Sequence, residues 1–218
     1  MKKTHPKRRM AIIMDDHEIF ATTFAMLLQQ TNLFEQVHTF KSEVNVTEFL
    51  IREQPKDACI FMDYFVPGSN AMQLIFNAKR FAPGVDIIVL SSLSIPALIK
   101  KIMSYNINGF IGKADSVSDI LACLDAIQNK EVYLSKSVKT ILSKDVSTHN
   151  IFNDFTAREM DVLIQSSWGK SIDEVAKALS LSKSTVVTHR RNLMAKAGLH
   201  SFTQLVALSI RAGIVPEK

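Results

Sequence analysis

The sequence predicts an α/β domain built on a five-stranded parallel sheet, followed by a smaller all-α domain of four helices. Two kinds of pattern predict this fold class. Short apolar runs alternate with amphipathic segments through residues 10–130, and helix-start signals recur after residue 154. The chain of 218 residues is also longer than a typical single domain, and its 47% hydrophobic content excludes a disordered protein.

The first part of the chain repeats a strand followed by a helix five times. The predicted strands are the apolar runs at residues 10–14, 37–40, 58–62, 87–90 and 110–111. The helical patterns lie at residues 19–30, 43–52, 72–81, 96–105 and 118–129. Apolar runs with little polar alternation are typical of parallel strands covered on both faces. Ligands of such open sheets bind beyond the carboxyl ends of the strands.

Polar side chains follow four of these strands. Asp15 and Asp16 follow the first, Asp63 the third, Ser91 the fourth and Lys113 the fifth. Three carboxylates at one edge repel one another unless a hard cation lies among them, which indicates a Mg²⁺ site. A carboxylate beside Mg²⁺ can also attack a phosphoryl group, with a lysine and a hydroxyl neutralising the oxygens. The alternative is that each acid is separately a helix cap or loop residue.

Charge is divided unevenly along the chain. Residues 10–130 contain 9 Lys and Arg against 13 Asp and Glu, whereas residues 131–218 contain 12 against 8. A basic C-terminal module favours a polyanion such as nucleic acid as its partner. Residues 131–153 have a short helical pattern and then a polar stretch typical of a linker.

No apolar run approaches the length of a membrane span. The run at residues 10–14 follows a basic start but is shorter than the apolar part of a signal peptide. The two cysteines are too few for a disulfide framework. The six histidines show no paired spacing typical of metal ligands. We therefore expect a cytoplasmic protein with no membrane partner.

Helix-start signals divide the last part of the chain into four helices. Capping boxes or caps open them at Thr156-Ala157-Arg158-Glu159, Ser171-Ile172-Asp173-Glu174, Ser182 and Ser201-Phe202-Thr203-Gln204. The short link 180–182 between the second and third helices is typical of the corner of a helix-turn-helix.

The third of these helices is basic, with no acid between Lys183 and Lys196. Because Val186 and Leu193 must face the core, one stripe of the helix turns outward. The stripe residues that we expect to reach base edges are Ser184, Val187, Thr188 and Arg191, and those expected to contact phosphates are Lys183, Arg190 and Lys196. A solvated basic helix with no partner is the alternative.

The strand-end residues belong to four segments that resemble the receiver domain of two-component response regulators. These segments are Met14-Asp15-Asp16-His17, Met62-Asp63 followed by Val66-Pro67-Gly68, Leu90-Ser91-Ser92, and Asn108-Gly109-Phe110-Ile111-Gly112-Lys113. The resemblance implies a flavodoxin-like receiver domain at residues 10–130. It also implies that Asp63 accepts a phosphoryl group from a histidine kinase or phosphotransfer protein.

The same resemblance assigns roles around Asp63. Mg²⁺ would be held by Asp15, Asp16, Asp63 and the backbone carbonyl of Phe65. Ser91 and Lys113 would contact the phosphoryl group. Phe110 would be the aromatic side chain that repacks when Ser91 moves, which is how a local charge change reaches a distant surface.

The C-terminal segment resembles a LuxR-type helix-turn-helix at residues 154–214, joined to the receiver by a linker at 131–153. The segments that match run from Phe155-Thr156-Ala157-Arg158-Glu159, through Gly169-Lys170-Ser171, to Thr188-His189-Arg190-Arg191-Asn192-Leu193 and Lys196-Ala197-Gly198-Leu199. Together the two motif sets resemble NarL/FixJ-type response regulators. The resemblance implies control of transcription by sequence-specific binding of a homodimer to a double-stranded DNA operator. Dimerisation through the last helix would place two recognition helices about 34 Å apart.

Three residues depart from the family pattern. Phe65 is apolar where many relatives are polar, Ala71 replaces a common glycine, and Val187 stands where many relatives are basic. One alternative is therefore an atypical receiver that regulates DNA binding without phosphorylation. A haloacid-dehalogenase-like phosphatase is rejected because its general acid would be an aspartate at the position of Phe65, so we expect no enzyme.

Overall fold

The computed structural model describes residues 8–66, 69–93, 96–143, 151–211 and 214–215. Two compact units are present, and the first comprises the described residues within 1–92 and 105–138. The second comprises those within 93–104 and 139–218. Residues 1–7 of the basic N-terminal segment, Pro67, Gly68 and residues 144–150 of the polar linker stretch lie outside the described residues.

The elements up to residue 134 follow the predicted alternation closely. In chain order they are β1 (Arg8–Met14), α1 (Glu18–Gln30), β2 (Phe34–Phe40), α2 (Glu43–Glu53), β3 (Ala58–Asp63), α3 (Ala71–Phe81), β4 (Val85–Ser91), α4 (Pro96–Met103), β5 (Gly109–Gly112), α5 (Val117–Gln128) and β6 (Tyr133–Leu134). Helix α4 falls in the segment that groups with the second unit.

The strands form one parallel sheet in the order β2-β1-β3-β4-β5-β6. The predicted α/β class is confirmed, and the sheet has a sixth strand that the sequence did not predict. Strand β6 is only two residues long, with Gly109 opposite Tyr133 and Phe110 opposite Leu134. So short a segment has no periodicity that could identify it.

Strand register brings the carboxyl ends of β1, β3, β4 and β5 to one edge of the sheet. Met14 lies opposite Met62, Asp63 opposite Leu90, and Ser91 opposite Gly112. All six residues of β3 are buried, as expected for a central strand covered on both faces. Phe61 on this strand makes an edge-on contact with the Phe24 ring at 5.3 Å. The central strands are therefore fixed by burial, and the residues at their ends are held in place.

The second unit contains the predicted four helices after the linker. Helix α6 (Lys136–Ser143) begins at the end of the first unit and continues into the second. A 3₁₀ turn (Ile151–Asp154) precedes α7 (Ala157–Ser167), α8 (Ile172–Leu179), α9 (Lys183–Ala197) and α10 (Phe202–Arg211). The predicted all-α class of this part is confirmed.

Local capping explains where these helices begin and end. Thr156 and Ser171 each form a complete capping box, and the Ser182 side chain accepts a hydrogen bond from the Thr185 backbone N–H. Ser180 adopts a left-handed conformation with φ of 53°, which ends α8 and makes the tight corner before α9. Helix α7 ends at Ser167 with Trp168 as its C-cap, and the Trp168 ring lies 5.3 Å from the Lys170 ammonium.

No helix in the described part of the chain has the length and the apolar character needed to cross a membrane.

Candidate functional site

Three acidic side chains converge at the carboxyl edge of the sheet. Asp15 and Asp16 directly follow β1, and Asp63 is the last residue of β3. One ligand atom from each of these residues and one from His17 lie within 4.8 Å of one another. Asp15 and Asp63 are buried, with 2% and 5% of their surface exposed, whereas Asp16 is 30% exposed. The cluster therefore has a buried floor and one carboxylate open to solvent.

Lys113 lies directly over this floor. Its Nζ atom is 2.6 Å from Asp15 Oδ2 and 2.6 Å from Asp63 Oδ2, and it sits 4.8 Å above the Phe20 ring. Burial raises the pKa of Asp63, although the Lys113 ammonium acts in the opposite direction. Burial also opposes the charge on Lys113, but the Asp63 and Asp15 carboxylates outweigh it and raise the pKa of the ammonium. Lys113 is therefore a permanent positive charge at the site.

Ser91 supplies the hydroxyl at the same edge. It is 1% exposed, and its Oγ makes no hydrogen bond within the described residues. Its carbonyl accepts a hydrogen bond from the Lys113 N–H at 3.1 Å, so the two residues are held side by side. Phe110 lies on the neighbouring strand β5 and is completely buried. A buried hydroxyl without a partner is able to donate to an incoming phosphoryl oxygen.

The donor set of this cluster fits a hard cation. Its three acidic members offer carboxylate oxygens, and Asp16 Oδ1 is buried without a hydrogen bond in the described part of the chain. The Phe65 N–H donates to Asp63 Oδ1 at 3.1 Å, which orients that carboxylate. The acidic cluster is of the kind at which receiver domains bind Mg²⁺.

Two residues at this site were not predicted from the sequence. The His17 N–H donates to Asp15 Oδ1 at 2.8 Å, and its Nδ1 lies 3.1 Å from the same oxygen and 3.3 Å from Asp16 Oδ1. The Phe20 ring supports the Lys113 ammonium. The position of His17, directly after the two strand-end acids, is the sequence signal for its presence at the site, although no second histidine lies at a spacing typical of metal ligands.

The outward stripe of α9 is present as predicted. Ser184, Val187, Thr188 and Arg191 are all exposed, and Val187 has half of its surface exposed. Val186 and Leu193 are completely buried. The exposed face therefore offers a hydroxyl, two methyl-bearing side chains and a guanidinium to a partner.

The three other basic residues of α9 differ in their surroundings. The Lys183 ammonium donates to Asp173 at 2.6 Å in an exposed ion pair. The Arg190 guanidinium donates to Ser166 Oγ at 2.8 Å and lies 4.6 Å above the Phe202 ring. Lys196 donates to Glu159 Oε2 at 2.7 Å and to the Asp154 carbonyl at 3.0 Å.

Arg190 and Lys196 therefore join α9 to the rest of its unit. Contacts of this kind connect residues 24 and 37 positions apart, so helical periodicity did not reveal them. Because both side chains support the unit as well as adding positive charge, their replacement is expected to change stability together with any DNA affinity.

Comparison with known families accounts for both parts of the chain. Residues 11–125 match the response regulator receiver domain, and residues 153–209 match the bacterial regulatory proteins of the luxR family. The chain therefore belongs to the response regulators in which a receiver domain precedes a LuxR-type DNA-binding domain. The predicted NarL/FixJ type is confirmed.

Relatives match the chain over most of its length. The Fimbriae Z protein of Escherichia coli is 29% identical over 89% of this chain and 93% of its own. Among solved structures, RcsB from Salmonella enterica bound to promoter rprA with the phosphomimetic BeF₃⁻ has a TM-score of 0.74. It is 24% identical and covers 92% of this chain and 98% of that one. A structure of two RcsB dimers bound to two parallel DNAs has a TM-score of 0.58. It is 25% identical and covers 89% of this chain and 94% of that one.

Proposed function

We propose that Asp63 accepts a phosphoryl group from a histidine kinase or a phosphotransfer protein in a Mg²⁺-dependent reaction. In this proposal the receiver domain is residues 10–130, the linker is residues 131–153 and the DNA-binding domain is residues 154–214. The observation that supports this function is the arrangement around Asp63: a buried carboxylate 2.6 Å from the Lys113 ammonium, beside two further acids. Such a group can be a nucleophile only where cations balance the charge of the incoming group.

The side chains at the site suit phosphoryl transfer from phosphohistidine. An Asp63 oxygen attacks phosphorus, the N–P bond breaks, and the imidazole of the donor leaves, so the product is an acyl phosphate. Bound Mg²⁺ supplies charge neutralisation for the phosphoryl oxygens, with Asp15, Asp16, Asp63 and the Phe65 carbonyl proposed to hold it. Lys113 pairs with one phosphoryl oxygen and Ser91 donates to another.

The phosphoryl group is proposed to act on the rest of the protein through Ser91 and Phe110. A hydroxyl that moves to bond a phosphoryl oxygen vacates space on β4, and the buried Phe110 ring on β5 is positioned to repack toward it. This makes a two-state element whose equilibrium depends on phosphorylation.

The output is proposed to be sequence-specific DNA binding by a homodimer in the cytoplasm. The exposed stripe of α9 supports contacts with base edges, and Lys183, Arg190 and Lys196 are proposed to contact phosphates. Helix α10 leaves Leu208 exposed, which suits a second copy of the same helix. The related protein RcsB has been solved as two dimers bound to two parallel DNAs, which supports the proposal of a DNA-bound homodimer.

Selection of DNA fragments from a genomic library tests this function. The full chain is incubated with the library and Mg²⁺, with or without acetyl phosphate, and the retained fragments are sequenced. We expect fragments with two half-sites about one helical turn apart, retained more strongly with acetyl phosphate. Equal retention of the same fragments in both arms would support the alternative of phosphorylation-independent DNA binding, and no enrichment in either would contradict DNA recognition.

Phe65 is expected to prolong the life of the phosphoryl group. Its ring is buried and its N–H binds Asp63, so an apolar side chain lies at the phosphorylation site. We expect Phe65→Asn to shorten the half-life of the acyl phosphate, because a polar side chain brings water to the site. Phe65→Leu, which stays apolar, is the matched control. The half-lives are measured after removal of the phosphodonor, and equal values for the parent and Phe65→Asn would refute the shielding role.

A further inference from the structure

The turn that follows β5 is closed by one carboxylate. Asp115 Oδ2 accepts a hydrogen bond from the Gly112 N–H at 2.8 Å, and the Asp115 N–H donates to the Gly112 carbonyl at 2.9 Å. Lys113 lies inside this closed turn, and its own N–H donates to the Ser91 carbonyl at 3.1 Å. The backbone that carries the Lys113 ammonium is therefore fixed on both sides.

The same carboxylate oxygen reaches the helix that leads out of the first unit. Ser137 Oγ, in the first turn of α6, donates to Asp115 Oδ2 at 2.7 Å. Ser135, just before α6, is attached to the sheet, because its N–H donates to the Phe110 carbonyl at 3.1 Å. Ser135 is completely buried, and its Oγ lies 3.2 Å from Ser137 Oγ. A continuous set of hydrogen bonds thus joins the Lys113 turn to the start of α6.

Helix capping does not account for the Asp115 carboxylate. Ser116 is the N-cap residue of helix α5, and its N–H and Oγ donate to Asp119 Oδ2 at 3.2 and 2.7 Å. Asp115 lies one residue earlier and bonds Gly112 and Ser137 instead. Its function must therefore concern the turn and α6.

Gly112 shows how little space this arrangement leaves. A Cβ atom at this position would lie 2.8 Å from Ser137 Oγ and 2.9 Å from Asp115 Oδ2, closer than such atoms approach one another. A side chain at residue 112 would therefore displace the Asp115 carboxylate, the Ser137 hydroxyl or both. The close contacts around Gly112, and not an unusual backbone conformation, favour glycine at this position.

We propose that Asp115 is a positioning residue for Lys113, and that its bond to Ser137 couples the phosphorylation site to helix α6. This proposal rests on the proposed phosphorylation of Asp63. When Lys113 exchanges the Asp63 carboxylate for a phosphoryl oxygen, the closed turn transmits the change in its position to Asp115. The shared oxygen then changes its bond to Ser137, and the first turn of α6 responds.

Four variants of the full chain test the two parts of the proposal. Asp115→Ala removes both hydrogen bonds to the carboxylate, whereas Asp115→Asn keeps one oxygen that can accept both of them. Ser137→Ala removes only the bond to α6, and Ser143→Ala removes an exposed hydroxyl from the far end of the same helix as a control. The measurements are the rate of phosphorylation by acetyl phosphate with Mg²⁺ and the hydrogen exchange of α6 amides before and after phosphorylation.

We expect Asp115→Ala to slow phosphorylation about tenfold, because a misplaced ammonium stabilises the transferring group poorly. Asp115→Asn should restore most of the rate, which loss of folding would not allow. Ser137→Ala should keep the parental rate but lose the change in α6 exchange that phosphorylation causes in the parent. Ser143→Ala should match the parent in both measurements.

The outcomes separate this proposal from the function on which it rests. A parental rate in Asp115→Ala overturns the positioning role. An unchanged response of α6 in Ser137→Ala, or no response of α6 in the phosphorylated parent, overturns the coupling. A parent that takes up no phosphoryl group at all contradicts phosphorylation of Asp63 itself, and the proposal fails with it.

Discussion

Replacement of Asp63 by asparagine is expected to abolish incorporation of a phosphoryl group from acetyl phosphate in the presence of Mg²⁺. The neutral amide has no carboxylate oxygen to form an acyl phosphate, so labelling should fall to background. Asp63 is the carboxylate that both Lys113 and the Phe65 N–H contact, at 2.6 and 3.1 Å. Asp15 is also contacted by Lys113, at 2.6 Å, and by the His17 N–H, at 2.8 Å. The choice of Asp63 as the nucleophile is therefore our proposal, and this variant tests it directly.

The fold should survive this change. Asp63→Asn removes one charge from a cluster of like charges, which relieves repulsion within the cluster. A matched control is Glu48→Gln, which neutralises an exposed acid on α2 and should be labelled as the parent is. Labelling is measured with radioactive phosphodonor on the purified chains. Persistent labelling of Asp63→Asn would refute the assignment of the site.

Loss of Arg191 is expected to weaken operator binding by about 1–3 kcal/mol and to relax base preference at one position of the operator. Arg191 is exposed on the outward stripe of α9, together with Val187 and Thr188. A guanidinium that bonds guanine in the major groove distinguishes that base from the other three. Affinity and preference are measured by competition among operator variants that differ at single positions.

We expect the charge on Arg191 to add to DNA affinity apart from any base contact. Lys177→Ala removes an equal charge from an exposed position on the preceding helix α8, so it reports the nonspecific part of the DNA affinity. We expect this control to weaken binding to all operator variants about equally. If Arg191→Ala behaves in the same uniform way, Arg191 contacts a phosphate and the base assignment is wrong.

The architecture could be predicted because strands buried on both faces of a sheet appear in the sequence as continuous apolar runs. Strand β3 is an unbroken apolar run, and its predicted end at residue 62 lies one residue from the observed end at Asp63. In the same way, the capping boxes at Thr156 and Ser171 marked the beginnings of α7 and α8. These signals are local, and local signals can be read without knowing the fold.

The convergence of Asp15, Asp63 and Lys113 could also be inferred, because parallel strands end at a common edge. Contacts that depend on three-dimensional packing could not. Ser137 and Asp115 are 22 positions apart in the chain, and the short strand β6, which pairs with β5, precedes Ser137. Nothing in the helical pattern of α9 showed that the partly exposed Arg190 contacts Ser166 and Phe202.

The position of Trp168 at the end of α7 divides the chromophores of the chain between its two units. It is the single tryptophan, whereas the three tyrosines, Tyr64, Tyr105 and Tyr133, belong to the first unit. Indole emission consequently follows the second unit, and phenol absorbance follows the first. The intact chain therefore has a natural optical probe for each unit, and unfolding of the two can be resolved in one sample without any label.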